Sequence, residues 1–120
     1  MKNILIVDDS SVVRMSLGYV LKENEYGVVE AVDGMDGLEK SNNEKFDLII
    51  TDINMPNMSG IELIQKVREG SSNKYVPILV LTTESGQDML EEGKNAGATG
   101  WVVKPFTNEK LLATIKRVIG

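Results

Sequence analysis

Four apolar runs, Ile4-Leu5-Ile6-Val7, Leu48-Ile49-Ile50, Ile78-Leu79-Val80-Leu81 and Trp101-Val102-Val103, recur along the chain with amphipathic stretches between them. Short continuous runs of this kind, set between turn-like or helical segments, read as strands buried on both faces. A fifth and weaker strand falls at Tyr26-Gly27-Val28-Val29-Glu30-Ala31, where brevity and a glycine place it at a sheet edge. The expected strands are 3–8, 27–31, 47–52, 77–82 and 100–103, alternating with helices at 10–23, 34–44, 59–69, 86–96 and 107–119. Strict strand–helix alternation implies right-handed crossovers and a parallel sheet with helices on both sides, an α/β fold.

In the first helix Val12, Val13, Met15, Leu17, Val20 and Leu21 are expected to form a broad apolar face, with Arg14 and Lys22 pointing out and Ser10 as N-cap. In the last, Thr107 is the expected N-cap, Glu109 sits in the first turn, and Leu111, Leu112, Ile115, Val118 and Ile119 face inward. Ser71-Ser72-Asn73 reads as a polar loop.

The functional information lies where the runs stop. Asp8 and Asp9 follow the first strand, Asp52 ends the third, Thr82 the fourth, and Lys104 the fifth. Parallel sheets bind ligands outside the carboxyl ends of their strands. Alone, Asp8 and Asp9 would serve as an acidic helix start and Asp52 as a turn residue. On neighbouring strands they converge on one cleft, and crowded carboxylates repel unless a cation lies among them. A hard divalent ion, Mg²⁺, suits oxygen donors, with Asp9 and Asp52 as direct ligands, the backbone carbonyl of Asn54 as a third and Asp8 contributing through water. A carboxylate beside a metal and a lysine can form an acyl phosphate, the metal and ammonium neutralising the phosphoryl oxygens. Lys104, directed by Pro105, is expected to be the only cation reaching this end of the sheet, and Thr82 supplies a hydroxyl at the same level.

Composition excludes several rivals. The 120 residues contain no cysteine and no histidine, so disulfides, thiolate or imidazole metal sites, histidine catalysis and a phosphohistidine are all impossible, and zinc is a poor fit. A net charge of −5 argues against direct nucleic-acid binding, which needs clustered Lys and Arg. Met1-Lys2-Asn3 runs straight into the first strand and resembles no signal peptide, and no apolar stretch approaches membrane-spanning length. The expectation is a single cytoplasmic domain over 1–120, without an output domain.

Four segments together resemble bacterial response-regulator receiver domains, most of all the stand-alone chemotaxis regulators. They are Leu5-Ile6-Val7-Asp8-Asp9-Ser10, Thr51-Asp52-Ile53-Asn54-Met55-Pro56-Asn57-Met58-Ser59-Gly60, Leu81-Thr82-Thr83-Glu84 and Ala96-Gly97-Ala98-Thr99-Gly100-Trp101-Val102-Val103-Lys104-Pro105-Phe106. They match in order and spacing along the whole chain. The resemblance implies a flavodoxin-like (βα)5 sandwich with strand order 2-1-3-4-5. It makes Asp52 the phosphoacceptor and Asp8 and Asp9 the Mg²⁺ (or Mn²⁺) site, has Lys104 and Thr82 contact the phosphoryl group, and makes the Lys104–Pro105 peptide cis. Asn54 and Glu84 match residues that accompany a self-hydrolysing aspartyl phosphate.

The implied donor is a histidine kinase, and the implied output face is residues 86–119, where Lys94, Lys110 and Lys116 are expected to be exposed to a downstream protein such as the flagellar motor switch; a partner phosphatase also fits. Two positions depart from the pattern. Trp101 replaces the usual Tyr or Phe that swings inward with the threonine, so it either still switches or simply fills the core. Thr83 stands where a smaller residue is common and narrows access. A phosphorelay intermediate is the alternative within this reading. A haloacid-dehalogenase-type phosphatase would need a second Asp where Asn54 stands, and an FMN binder would meet repulsion from Asp8 and Asp9.

Overall fold

A computed structural model describes residues 1–83 and 87–120, and the side chains of all of these but Gln87 and Met89. Five strands and five helices alternate: β1 (Asn3–Val7), α1 (Ser11–Glu23), β2 (Gly27–Ala31), α2 (Gly34–Asn43), β3 (Leu48–Asp52), α3 (Gly60–Glu69), β4 (Ile78–Thr82), α4 (Gln87–Ala96), β5 (Gly100–Val103) and α5 (Asn108–Ile119). All neighbouring strands are parallel, in the order β2-β1-β3-β4-β5. The weakly patterned second strand is an edge, as its sequence indicates. No helix among the described residues is long and apolar enough to cross a membrane.

Side chains that alternate across the pleat divide the core into two halves. Leu5, Val7, Ile49, Ile78 and Val80 pack with Leu63, Ile64 and Val67 of α3. Ile4, Ile6, Leu48, Ile50, Leu79 and Leu81 pack on the opposite side with Leu17 and Leu21 of α1 and Leu111 and Ile115 of α5. Burial on both faces explains why these strands read as unbroken apolar runs. Ser10 and Thr107 cap α1 and α5 through Val13 N–H and Lys110 N–H, as expected, and Asp33 and Ser59 do the same for α2 and α3.

The face of α1 differs from the one its sequence indicates. Its buried stripe runs through Leu17, Gly18 and Leu21, while Val12 and Met15 are 72% and 71% exposed. At 3.6 residues per turn, position 14 belongs to the stripe of 17, 18 and 21, whereas 12 and 15 fall on the far side. Arg14 therefore turns inward, its side chain only 14% exposed, and the expectation that it points to solvent is corrected. Lys22 is exposed.

Candidate functional site

Every strand that contributes to the cleft does so at its carboxyl end. Asp8 follows β1, Asp52 is the last residue of β3, Thr82 the last of β4, and Lys104 follows β5. In register, Val7 pairs with Thr51, Asp52 with Leu81, and Thr82 with Val103, so the residues expected to converge lie on one rim. Oxygens of Asp8, Asp9 and Asp52 all lie within 4.8 Å of one another. Their environments differ: Asp8 is buried, Asp9 exposed and Asp52 between the two.

Local structure aims each carboxylate. Asp8 Oδ1 accepts from Ser10 N–H at 2.9 Å, closing the turn into α1. Asp8 Oδ2 is buried and accepts no hydrogen bond among the described residues. A buried carboxylate oxygen without a donor is costly, and it is the one polar orphan of its kind among them. Asp52 Oδ1 accepts from Ile53 N–H at 2.8 Å. The chain can then turn back because Gly60 N–H bonds Ile53 O at 2.8 Å, and a Cβ at Gly60 would lie 2.1 Å from Asp52 O. Only glycine allows α3 to begin so close to the end of β3.

Lys104 spans the cleft, its Nζ lying 3.6 Å from Asp8 Oδ2 and 3.8 Å from Asp52 Oδ1. Its amide donates to Thr82 O at 2.8 Å, tying the ends of β4 and β5, and the Lys104–Pro105 peptide is cis, as the resemblance implied. Burial pushes the Asp52 carboxyl above the usual range; Lys104 opposes this, Asp8 adds to it, Ile53 N–H opposes it and Asp9 adds to it.

Thr82 is buried at the same rim, and Asn54 lies exposed two residues beyond Asp52. Thr83 is exposed, whereas Glu84 lies outside the described residues. Trp101 is not in the cleft. It pairs in register with Val80, is partly buried against the α3-side core, and lines surface grooves against both α4 and α5. Lys94, Lys110 and Lys116 are exposed, as expected.

Lys104 is not alone at this end of the sheet. Arg14 Nη1 donates to the Asp8 main-chain carbonyl at 2.6 Å, and its Nε to Glu30 Oε1 at 3.2 Å. The signal that could have found it is the helical spacing that puts residue 14 on the stripe of 17, 18 and 21.

The chain matches the profile of the response regulator receiver domain over residues 4–116. It is 39% identical over 116 residues to the chemotaxis protein CheY of Pseudomonas aeruginosa, covering 96% of this chain and 94% of the relative. It also superposes on the crystal structure of Vibrio cholerae chemotaxis protein CheY4 with a TM-score of 0.95 at 47% identity, covering 98% of each. The receiver domain of a Pseudomonas aeruginosa sensor histidine kinase superposes with a TM-score of 0.92 at 27% identity, covering 99% of this chain and 98% of that one. That structure is described with a magnesium ion coordinated in the active site cleft. The chain belongs to the response-regulator receiver domains, the CheY-like modules of two-component signalling. The phosphatase and FMN-binding alternatives fall away with that assignment.

Proposed function

We propose that this receiver accepts a phosphoryl group on Asp52 from a histidine kinase and passes the change to a protein partner, with chemotaxis as its setting. The observation that supports this most is the buried Asp8 Oδ2 without a hydrogen-bond donor, set within a cluster of three carboxylates that faces a single ammonium. With Arg14 offset by Glu30, three negative charges against the Lys104 ammonium leave an excess that one divalent cation cancels, so the residues present fit Mg²⁺ (with Mn²⁺ a substitute). Asp9, Asp52 and the Asn54 carbonyl would hold it, with Asp8 assisting. When bound, it supplies positive charge to the oxygens of the transferring phosphoryl group.

In the proposed step an Asp52 carboxylate oxygen attacks the phosphorus of a phosphohistidine on the kinase. The new O–P bond forms as the P–N bond breaks, and the departing electron pair goes to the imidazole nitrogen. Oδ1 is already engaged by Ile53 N–H and approached by Lys104, so Oδ2 is the attacking oxygen. Lys104 holds its positive charge beside the developing phosphoryl oxygens, and the Thr82 hydroxyl bonds one of them. Later attack by water at phosphorus returns the carboxylate and inorganic phosphate, with Asn54 and Glu84 setting the lifetime.

The readout is a population shift: a phosphoryl group at the end of β3 biases Thr82 and the following helix, α4, toward a second arrangement. Trp101, placed between the grooves against α4 and α5, reports that shift on the face that a target such as the flagellar motor switch would bind. A kinase and a phosphatase complete the cycle in the cytoplasm.

The test is intact-protein mass after incubation with acetyl phosphate, with and without Mg²⁺, with Trp101 emission followed in parallel. One added phosphoryl group that requires both Mg²⁺ and Asp52, and is absent from a folded Asp52→Asn variant, supports the proposal. Unchanged modification of Asp52→Asn contradicts it.

A further inference from the structure

Arg14 reaches the acidic cleft from behind. Asp8 is held on three sides: its amide donates to Ala31 O at 3.2 Å, its Oδ1 accepts from Ser10 N–H, and its main-chain carbonyl accepts from Arg14 Nη1 at 2.6 Å. Only Oδ2 is left facing the cleft. The guanidinium is in turn set by Glu30 on the edge strand β2, through the 3.2 Å Nε–Oε1 contact. A planar fork bridging a carbonyl and a carboxylate fixes direction in a way a single ammonium cannot.

We propose that Arg14 is a positioning residue for the cation site: by gripping the Asp8 carbonyl it aims Oδ2 into the cleft, and Glu30 orients the grip. The inference rests on the proposed Mg²⁺ reading of that cleft. Its proposed effect is geometric, through the 2.6 Å bond to the Asp8 carbonyl.

Geometry and charge have opposite signs here, which makes the inference testable. A guanidinium near a cation site repels the cation, so loss of its charge alone would tighten Mg²⁺ binding. Loss of its grip would weaken binding. Calorimetric titration with MgCl₂ is compared for the wild-type chain, Arg14→Gln, Arg14→Lys and Glu30→Gln, well below each melting midpoint measured without Mg²⁺.

Partners that orient metal ligands typically matter by an order of magnitude, so Arg14→Gln should weaken Mg²⁺ binding about 10-fold. Arg14→Lys, which keeps the repelling charge but loses the fork, should be weakened at least as much. The half-exposed Glu30 should matter less, about twofold to threefold on Glu30→Gln. Should Arg14→Gln fail to fold, Arg14→Lys decides the matter, because it keeps the charge and loses only the fork. Folded variants that bind Mg²⁺ as well as or better than the wild type overturn this inference alone. A wild-type chain that binds no Mg²⁺ overturns the metal reading and this inference with it.

Discussion

The Lys104 ammonium lies 3.8 Å from Oδ1 of Asp52, the same oxygen that accepts the Ile53 N–H, and 3.6 Å from Oδ2 of Asp8. A single cation thus serves the proposed phosphoacceptor and the buried orphan oxygen together. Replacing it should move two quantities in opposite directions. Removing a preorganised charge from a reacting centre typically costs about 100-fold or more in rate, and phosphorylation of Lys104→Met by acetyl phosphate should slow by that order. Mg²⁺ should bind the variant more tightly, because Lys104 competes for the same carboxylates. Mass-shift time courses and calorimetry check the two arms, and weaker Mg²⁺ binding would contradict the competition.

The raised carboxyl of Asp52 has a consequence for stability. A carboxyl whose folded pKa lies above its unfolded value binds protons more readily in the folded state. It therefore penalises folding above the folded pKa, and the penalty fades as pH falls through that value toward the ordinary carboxylate range. Burial is the leading cause, and Asp8 and Asp9 add to it. Asp52→Asn removes the charge and should raise the melting midpoint at pH 7 without Mg²⁺. The gain should shrink as the pH falls through the raised folded value and be gone below the ordinary carboxylate range. Thermal melts across pH check this, and a variant less stable at pH 7 would show that Asp52 holds the fold together.

Gly60 links packing to the site. A Cβ placed 2.1 Å from Asp52 O cannot be accommodated without moving the end of β3 or the start of α3. Gly60→Ala should cost about 2 kcal/mol or more, as overpacked sites do. It should also slow phosphorylation among the molecules that remain folded, because the strained atom is the main chain of Asp52 itself.

Asn73 provides the contrasting case. It is buried, accepts from Phe46 N–H at 2.9 Å, and donates to Ser41 O at 2.6 Å and Glu44 O at 2.8 Å, on the strand-start side of the sheet. Asn73→Ala leaves these backbone groups without partners and should cost about 2–3 kcal/mol by urea unfolding. Its phosphorylation rate at low temperature should equal that of the wild type, because the loss lies away from the cleft.

Much of this was legible in the sequence because the sheet is buried on both sides. Ile4–Val7 and Ile78–Leu81 read as inner strands, and the residues that follow them, Asp8 and Thr82, name the rim of the cleft without any knowledge of distances. The order β2-β1-β3-β4-β5 and the cis Lys104–Pro105 peptide came from resemblance, since no local pattern encodes either. Counting apolar residues weighs Val12 and Met15 equally with Leu17 and Leu21 and so points to a different face of α1 from the buried one. The buried stripe is set by where β1 and β2 pack, and it carries Arg14 inward as a hydrogen-bond donor. Asn73 looked like an ordinary loop residue, because its three partners come from segments about 30 residues away in sequence.

Asp52, among three clustered carboxylates, is the proposed receiver of the phosphoryl group. Borohydride reduction of the phosphorylated chain converts an aspartyl phosphate to homoserine and marks the modified position, which peptide mass spectrometry then locates. Homoserine is expected at position 52 alone, formed only in samples phosphorylated with Mg²⁺ present. Homoserine at position 8 or 9, with Asp52 intact, would contradict that expectation.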